Sequence, residues 1–161
     1  MNDSPLTLRR AENGDWLAVD DEQRTVASGG QSRRPGFISV DAWTSPAFDL
    51  VAAALIADQP SPLYTVANAA DDELIESWRR CGFAEHRRLT CYRIPFDAPI
   101  PAPPPTVRGL NLHDRRARIV LRGPAAPFLA VDVDVSDREA VDVIESLGGR
   151  AVETNVELVR S

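Results

Sequence analysis

The stretch FISVDAWTSPAFDLVAAALIAD, from Phe37 to Asp58, constrains this chain most, because a strand and a helix meet in it without a spacer. Its first part, Phe37 to Trp43, is a run of apolar and β-branched residues of the kind a well-buried strand requires. The second part reads as a helix. Ser45 is placed to cap the first free amides, and Pro46 suits the first helical position, where no amide donor is needed. Phe48, Val51, Ala52 and Leu55 then share one helix face. A strand buried in this way has to be covered, and the helix that starts at its end is the nearest cover.

The flanking segments continue the alternation. Upstream, LTLRRA and GDWLAVDD predict two strands about Asn13-Gly14, a strong hairpin signal, and RTVASG predicts a third. GGQSRRPG, Gly29 to Gly36, breaks regular structure and reads as an exposed loop. Downstream, SPLYTVAN predicts another strand. DDELIESWRRCG predicts another helix, with acids in its first turn, arginines in its last and Gly82 as its stop; the strand RRLTCYRIPF follows. Up to Phe96 the order is β-β-β-β-α-β-α-β, which calls for a mixed α/β sheet covered by helices.

PFDAPIPAPPPT, Pro95 to Thr106, holds 6 of the chain's 13 prolines and reads as an extended, stiff connector. We therefore expect a first domain at 1–96, a linker at 97–106 and a smaller β-β-α-β unit at 107–161. In that unit RARIVLRG and FLAVDVDV predict strands, SDREAVDVIESLGG a helix with a Ser-x-x-Glu capping box, and RAVETNVELVR a closing strand. At an offset of 66 residues the unit echoes the first domain, with Leu63, Asp71, Glu73 and Gly82 falling on Leu129, Asp137, Glu139 and Gly148. A partial duplication and the pattern common to any β-α-β unit both account for the echo.

With 161 residues the chain can bury a substantial core. Its formal net charge of −6 argues against nucleic acid or an anionic membrane as a general partner, and basic ligands are easier to accommodate. All 18 Lys and Arg positions are arginine, which suggests coding from a GC-rich genome and implies no mechanism. Cys81 and Cys91 cannot build a multi-bridge framework and have no His or Cys at ligand spacing, so a zinc site is not expected and a reducing cytoplasm fits. MNDSPLTLRR carries no secretory pattern, and no apolar run reaches the length of a membrane span.

Residues 6 to 96 resemble the back portion of a Gcn5-related N-acetyltransferase, the GNAT superfamily. The strand order, the strand FISVDAW running into a helix, and DDELIESWRRCGFAEHRRLTCYRI carry the resemblance. The last of these looks like the family's closing unit, in which Asn-x-x-Ala-x-x-Leu-Tyr precedes a Gly-Phe and a final strand. The family's usual first strand and two helices, which shape the acceptor site, have no counterpart. The resemblance implies a GNAT-like α/β (α+β) fold, with a mixed, mostly antiparallel sheet flanked by helices and the C-terminal β-β-α-β unit appended.

In the family the loop after the fourth strand reads Gln/Arg-x-x-Gly-x-Gly/Ala, and its amides at a helix N-terminus hold the pyrophosphate of acetyl-CoA. Ser45, Pro46, Ala47, Phe48, Asp49 and Leu50 stand at the matching positions, and none is glycine. Phe48 fills space the anion needs, Pro46 removes a donor, Ser45 can occupy another and Asp49 adds negative charge. The family's cofactor-facing asparagine corresponds to Asp71. Its proton-donating tyrosine corresponds to Trp78, whose indole has no acidic proton at useful pH.

The resemblance therefore implies a degenerate acetyl-CoA loop, no expected cofactor, and a binding, regulatory or assembly role. The alternative is an active N-acetyltransferase that uses acetyl-CoA on a small-molecule or protein amine. For that chemistry Asp41, on the buried strand, and His86 are the candidate catalytic residues; Trp43, Ser45, Ala47, Asp71 and Trp78 are the candidate cofactor-binding residues. Plainer readings stand beside them: a wet strand end for Asp41, a solvated loop for His86, structural thiols for both cysteines, and a surface turn for His113.

The arginine pairs at 33–34, 79–80, 87–88 and 115–116 could bind an anion together, although a solvated rim explains them as well. DVDVSD lacks the glycine and distant glutamate of a calcium loop. Residues 107 to 161 also resemble half of a vicinal-oxygen-chelate module but lack its His and Glu ligands, so no metal is expected. Sheet edges left to cover make a homodimer the expected assembly.

Overall fold

The computed structural model describes residues 5–95, 118–120 and 128–161. The connector at 97–106, His113 and the Arg115-Arg116 pair lie outside the described residues. The chain divides into two compact units, one of Met1–Ala67, Asp71–His86 and Glu157–Ser161, the other of Asn68–Ala70 and Arg87–Val156.

In the first unit β1 (Thr7–Arg10), β2 (Trp16–Val19), β3 (Thr25–Gln31) and β4 (Ile38–Ala42) form an antiparallel sheet in that order. The turn at Asn13-Gly14 is locked locally. Gly14 takes φ 89°, Asn13 Oδ1 accepts from the Asp15 amide at 3.1 Å, and the Asn13 amide group donates to Asp15 Oδ2 at 2.7 Å.

Strand β3 runs on through Gly29, Gly30 and Gln31, where composition predicts a loop from Gly29 onward. Packing overrides the local tendency. A Cβ on Gly29 would lie 2.7 Å from Val51 Cγ1, 2.8 Å from the Ser39 carbonyl and 2.9 Å from Leu55 Cδ1. The glycine therefore lets helix α1 (Ser45–Asp58) close directly onto the strand. Ala47, Phe48, Val51, Ala52 and Leu55 form the buried face of α1, which includes the four residues expected from periodicity.

The cap of α1 falls one residue earlier than expected. Thr44 has an extended backbone, and its Oγ1 accepts from the Ala47 amide at 3.4 Å. Ser45 is thus already helical, and Pro46 stands at the second position, still in the turn where a missing donor costs nothing.

After α1, β5 (Leu63–Asn68) meets β4 at a single parallel bridge, Phe37 to Tyr64, where the Tyr64 amide donates to the Gly36 carbonyl at 2.8 Å. No ladder continues from that bridge, so β4 and β5 part beyond it. The other neighbour of β5 is β9 (Arg150–Arg160).

Helix α2 (Asp72–Arg80) starts on Asp71, whose Oδ1 accepts from the Leu74 amide at 2.9 Å. It ends through Gly82 at φ 87°, with the Gly82 and Phe83 amides donating to the Arg79 and Trp78 carbonyls. This double closure is the reason a glycine stands there. Trp78 is buried edge-on between Phe48 and Phe83, with ring centroids 5.0 and 4.9 Å away.

In the second unit the strand order is β9-β6-β8-β7, with β6 at Ala84–Pro95, β7 at Arg118–Val120 and β8 at Phe128–Asp134. β6 and β7 each lie antiparallel to β8. Helix α3 (Arg138–Ser146) covers a core of Tyr92, Val131, Val133, Ala140 and Ile144. Its cap is Asp137, whose Oδ1 accepts from the Ala140 amide at 3.1 Å. Ser136, the expected cap, is turned away: its hydroxyl and amide both donate to Asp134 Oδ1.

The bounds of α2 and α3 differ by the same 66 residues as the sequence echo. So do their caps, Asp71 and Asp137, and their closing glycines, Gly82 and Gly148, both at positive φ.

Candidate functional site

In the first unit a cavity of about 290 Å³ opens at the end of β4, where β4 and β5 have parted. Three short segments build it. The end of β4 brings Asp41 and Trp43, the first turn of α1 brings Thr44, Ser45 and Phe48, and the start of α2 brings Asp71, Glu73 and Ser77. Their convergence follows from the two helix caps, which both point their N-termini here.

The first-turn amides of α1 are mostly committed. Pro46 has none, the Ala47 amide is taken by Thr44 Oγ1, and the Phe48 amide donates to the Thr44 carbonyl at 3.0 Å. Of these positions only Ser45 keeps an amide to offer. The lining is acidic: Asp41, Asp71 and Glu73 face the cavity, and no basic side chain of the described residues lines it.

Asp41 and Ser45 are exposed, and Trp43 is 75 % exposed. Asp71 spends one carboxylate oxygen on its cap. Ser77 is buried, its Oγ donating to the Glu73 carbonyl at 2.9 Å and accepting from Arg80 at 3.3 Å.

The fold thus gathers four of the seven candidate residues, Asp41, Trp43, Ser45 and Asp71, at one cavity. Ala47 is fully buried beneath it, and Trp78 packs in the aromatic cluster instead of lining it. His86 is exposed at the start of β6, its ring edge-on to Tyr64 at 6.0 Å, and does not line the cavity.

Thr44, Glu73 and Ser77 were not singled out by sequence reasoning. For Glu73 the signal was present, as an acid in the first turn of a helix, but a dipole partner explained it fully. Among the described residues no group of three His, Cys, Asp or Glu side chains could hold a metal ion.

Of the arginines expected as an anion site, Arg34, Arg79 and Arg80 are engaged elsewhere. Arg34 lies over the Phe37 ring at 3.8 Å and reaches the buried Glu157 at 3.4 Å. Arg79 pairs with Glu76, and Arg80 with Asp49 at 3.3 Å. Cys81 and Cys91 are free thiols, both half-buried. Burial, with the Asp49 charge second, pushes the Cys81 thiol up from its ordinary value. Among the described residues no helix is long and apolar enough to cross a membrane.

No protein-family profile and no curated protein matches this sequence. A solved structure does: a GCN5-related N-acetyltransferase from Sphaerobacter thermophilus, 12 % identical, over 91 % of this chain and 80 % of that one, with a TM-score of 0.52. The fold is GNAT-like. Within this fold the cavity is formed by the end of β4, the helix that starts there and the start of α2. At 12 % identity the likeness speaks for the fold alone.

Proposed function

We propose that this GNAT-like chain is a non-catalytic binding module whose loop after β4 no longer takes acetyl-CoA. One observation carries the reading: the first turn of α1 has Ala47's amide capped by Thr44, no amide at Pro46, and carboxylates of Asp41, Asp71 and Glu73 around it. A pyrophosphate needs free amides and positive potential at a helix N-terminus. Here only the Ser45 amide is left to offer and the lining is acidic, so the residues present do not fit the group. Trp78, where the family carries a proton donor, is packed among rings with its face unavailable to a leaving thiolate.

The test is the thermal midpoint with and without acetyl-CoA. A ligand at about 100 times its dissociation constant adds roughly 2.7 kcal/mol, a rise of several degrees for a chain of this size. We expect no rise at millimolar acetyl-CoA. A clear rise overturns the reading.

One observation favours the alternative, an acetyl-CoA-dependent N-acetyltransferase: Asp41 lines the same cavity as Ser45 and Asp71, where a base would be wanted. That activity would be visible as free thiol released from acetyl-CoA in the presence of amines and lost in Asp41→Asn. A homodimer remains our expectation for the assembly, and the mass in solution at high protein concentration decides it.

A further inference from the structure

We propose that two copies of this chain associate through the face of the β1–β4 sheet turned away from α1, about a two-fold axis that sets Arg9 of each copy against Asp41 of the other. The proposal rests on the homodimer expected above and names its surface.

Register supplies the first observation. Arg9, Leu17, Ser28 and Asp41 are successive partners across β1, β2, β3 and β4, so they form one row that crosses the whole sheet. Their neighbours along the strands turn to α1: Arg10 and the Trp16 indole reach Asp58 at 2.8 and 2.9 Å, a Cβ on Gly29 would meet Val51 and Leu55, and Val40 is buried. Side chains alternate along a strand, so the row points the other way. Arg9 and Asp41 are exposed there, and Leu17 and Ser28 between them are half-buried.

Charge supplies the second. The row reads cation, apolar, small, anion. Asp20, Asp49 and Asp58 each have an arginine within this unit, whereas Arg9 and Asp41 stand at opposite edges of the sheet with no ion-pair partner among the described residues. Three strand spacings of about 4.8 Å put them roughly 14 Å apart, beyond the screening length at physiological salt. In an isologous contact residue i of one copy meets residue j of the other, and j meets i. When two such faces meet about an axis running along the strands, β1 of one copy lies over β4 of the other. Arg9 then meets Asp41 twice, with Leu17 against Ser28 between the two pairs. An axis running across the strands would set Arg9 on Arg9 and Asp41 on Asp41, which like-charge repulsion disfavours.

The ends of the face supply the third. Trp43, two residues past Asp41, is 75 % exposed, and its amide donates to the Val26 carbonyl at 3.0 Å, which holds the backbone at the end of the sheet. The arrangement carries this indole to the β1 edge of the other copy, and Trp is among the side chains that contribute most to association. At the opposite end Asp15 covers Gly30, where a Cβ would run into its carboxylate, and its charge bounds the contact on that side. The strands of this face are 4 to 7 residues long, a small area beside the roughly 800 Å² per partner of a standard interface. The dimer is therefore concentration-dependent.

Sedimentation equilibrium of the full chain from micromolar to millimolar concentration, at low and at physiological salt, tests the proposal. The native protein is expected to pass from monomer to dimer over that range and to associate more weakly as salt rises. Arg9→Glu and Asp41→Arg, both at exposed positions, each weaken association about tenfold or more and leave the thermal midpoint of the dilute protein in place. Mixed in equal amounts, the two variants associate with each other at the native strength, because both opposed pairs of charges are complementary again. A native chain that stays monomeric throughout overturns the proposal and the homodimer with it. A dimer that both variants leave unchanged, or variants that do not rescue each other on mixing, overturns this face alone.

Discussion

Trp78 is the residue on which the structural and chemical readings of the closing motif part. It is 1 % exposed and meets Phe48 and Phe83 edge-on with ring centroids at 5.0 and 4.9 Å. Truncating a buried Trp to Ala costs about 3–5 kcal/mol. Lost edge-to-face pairs belong at the upper end of that range, since each is worth about 0.5–1.5 kcal/mol beyond its buried area. We expect Trp78→Ala to lose about 4 kcal/mol. For 150–250 residues each kcal/mol moves the midpoint by about 2–4 °C, so the melting temperature should fall by roughly 10 °C.

The assay is urea unfolding followed by near-ultraviolet circular dichroism, with the slope on denaturant compared between variants to confirm that the same surface unfolds. Trp78→Tyr completes the argument. It keeps an aromatic ring but buries a hydroxyl among Phe48 and Phe83, at a cost of about 1–3 kcal/mol if the hydroxyl finds no partner. It should destabilise and create no acetyl transfer. A loss below about 1 kcal/mol in Trp78→Ala would refute the core role. Acetyl transfer appearing in Trp78→Tyr would refute the chemical half of the reasoning.

Gly29→Ala should destabilise by about 1–3 kcal/mol through overpacking, because its Cβ would meet the Ser39 carbonyl at 2.8 Å as well as Val51 and Leu55; a gain in denaturation midpoint would contradict the close approach of α1. Burial raises the Asp20 carboxyl, but hydrogen bonds from the Arg24 amide and guanidinium, with its charge, outweigh that and hold it below the ordinary carboxylate range. A depressed folded value means that its stabilisation is complete above the unfolded carboxylate range and is lost as pH falls through the folded one. Asp20→Asn should therefore flatten the acid limb of the midpoint-against-pH curve, and an unchanged limb would show that the Arg24 contact contributes nothing. Burial favours the neutral Cys81 thiol, so its alkylation by iodoacetamide at pH 8 should run slower than that of a free cysteine. A faster rate would point to an activated thiol.

The fold was legible where local chemistry and packing agree. The apolar stripe of α1, the Asn13-Gly14 turn and the glycine stop of α2 follow from periodicity and backbone preference, and all three stand where the residues place them. Reading failed where a tertiary contact outranked a local preference. Gly29 looks like a loop residue until α1 is set against it, Gly30 until the Asp15 side chain is, and Ser136 looks like a cap until Asp134 claims its hydroxyl and amide. The 66-residue echo belongs to the legible part: cap and stop residues recur at that offset, and each pair forms the same local hydrogen bonds.

The cavity was only half legible, and the reason is geometric. Asp41, Trp43 and Ser45 are close in sequence, so any reading that stops the strand near Ala42 places them together. Asp71, Glu73 and Ser77 join them only because β4 and β5 share one bridge and then part, letting the start of α2 face the start of α1. No sequence pattern encodes that separation. What the sequence does encode is charge, and the charge at this cavity is opposite to what any helix N-terminus needs to hold an anion. The backbone presents two helix N-termini to the cavity, while Thr44 takes the Ala47 amide, Pro46 has none and three acids line the opening. Fold and cavity charge therefore rest on separable residues here: Gly29, Gly82 and Trp78 maintain the first, and Asp41, Asp71 and Glu73 supply the second. Substitutions in the first group should lower the denaturation midpoint, and Asp41→Asn, at an exposed position, should leave it nearly unchanged.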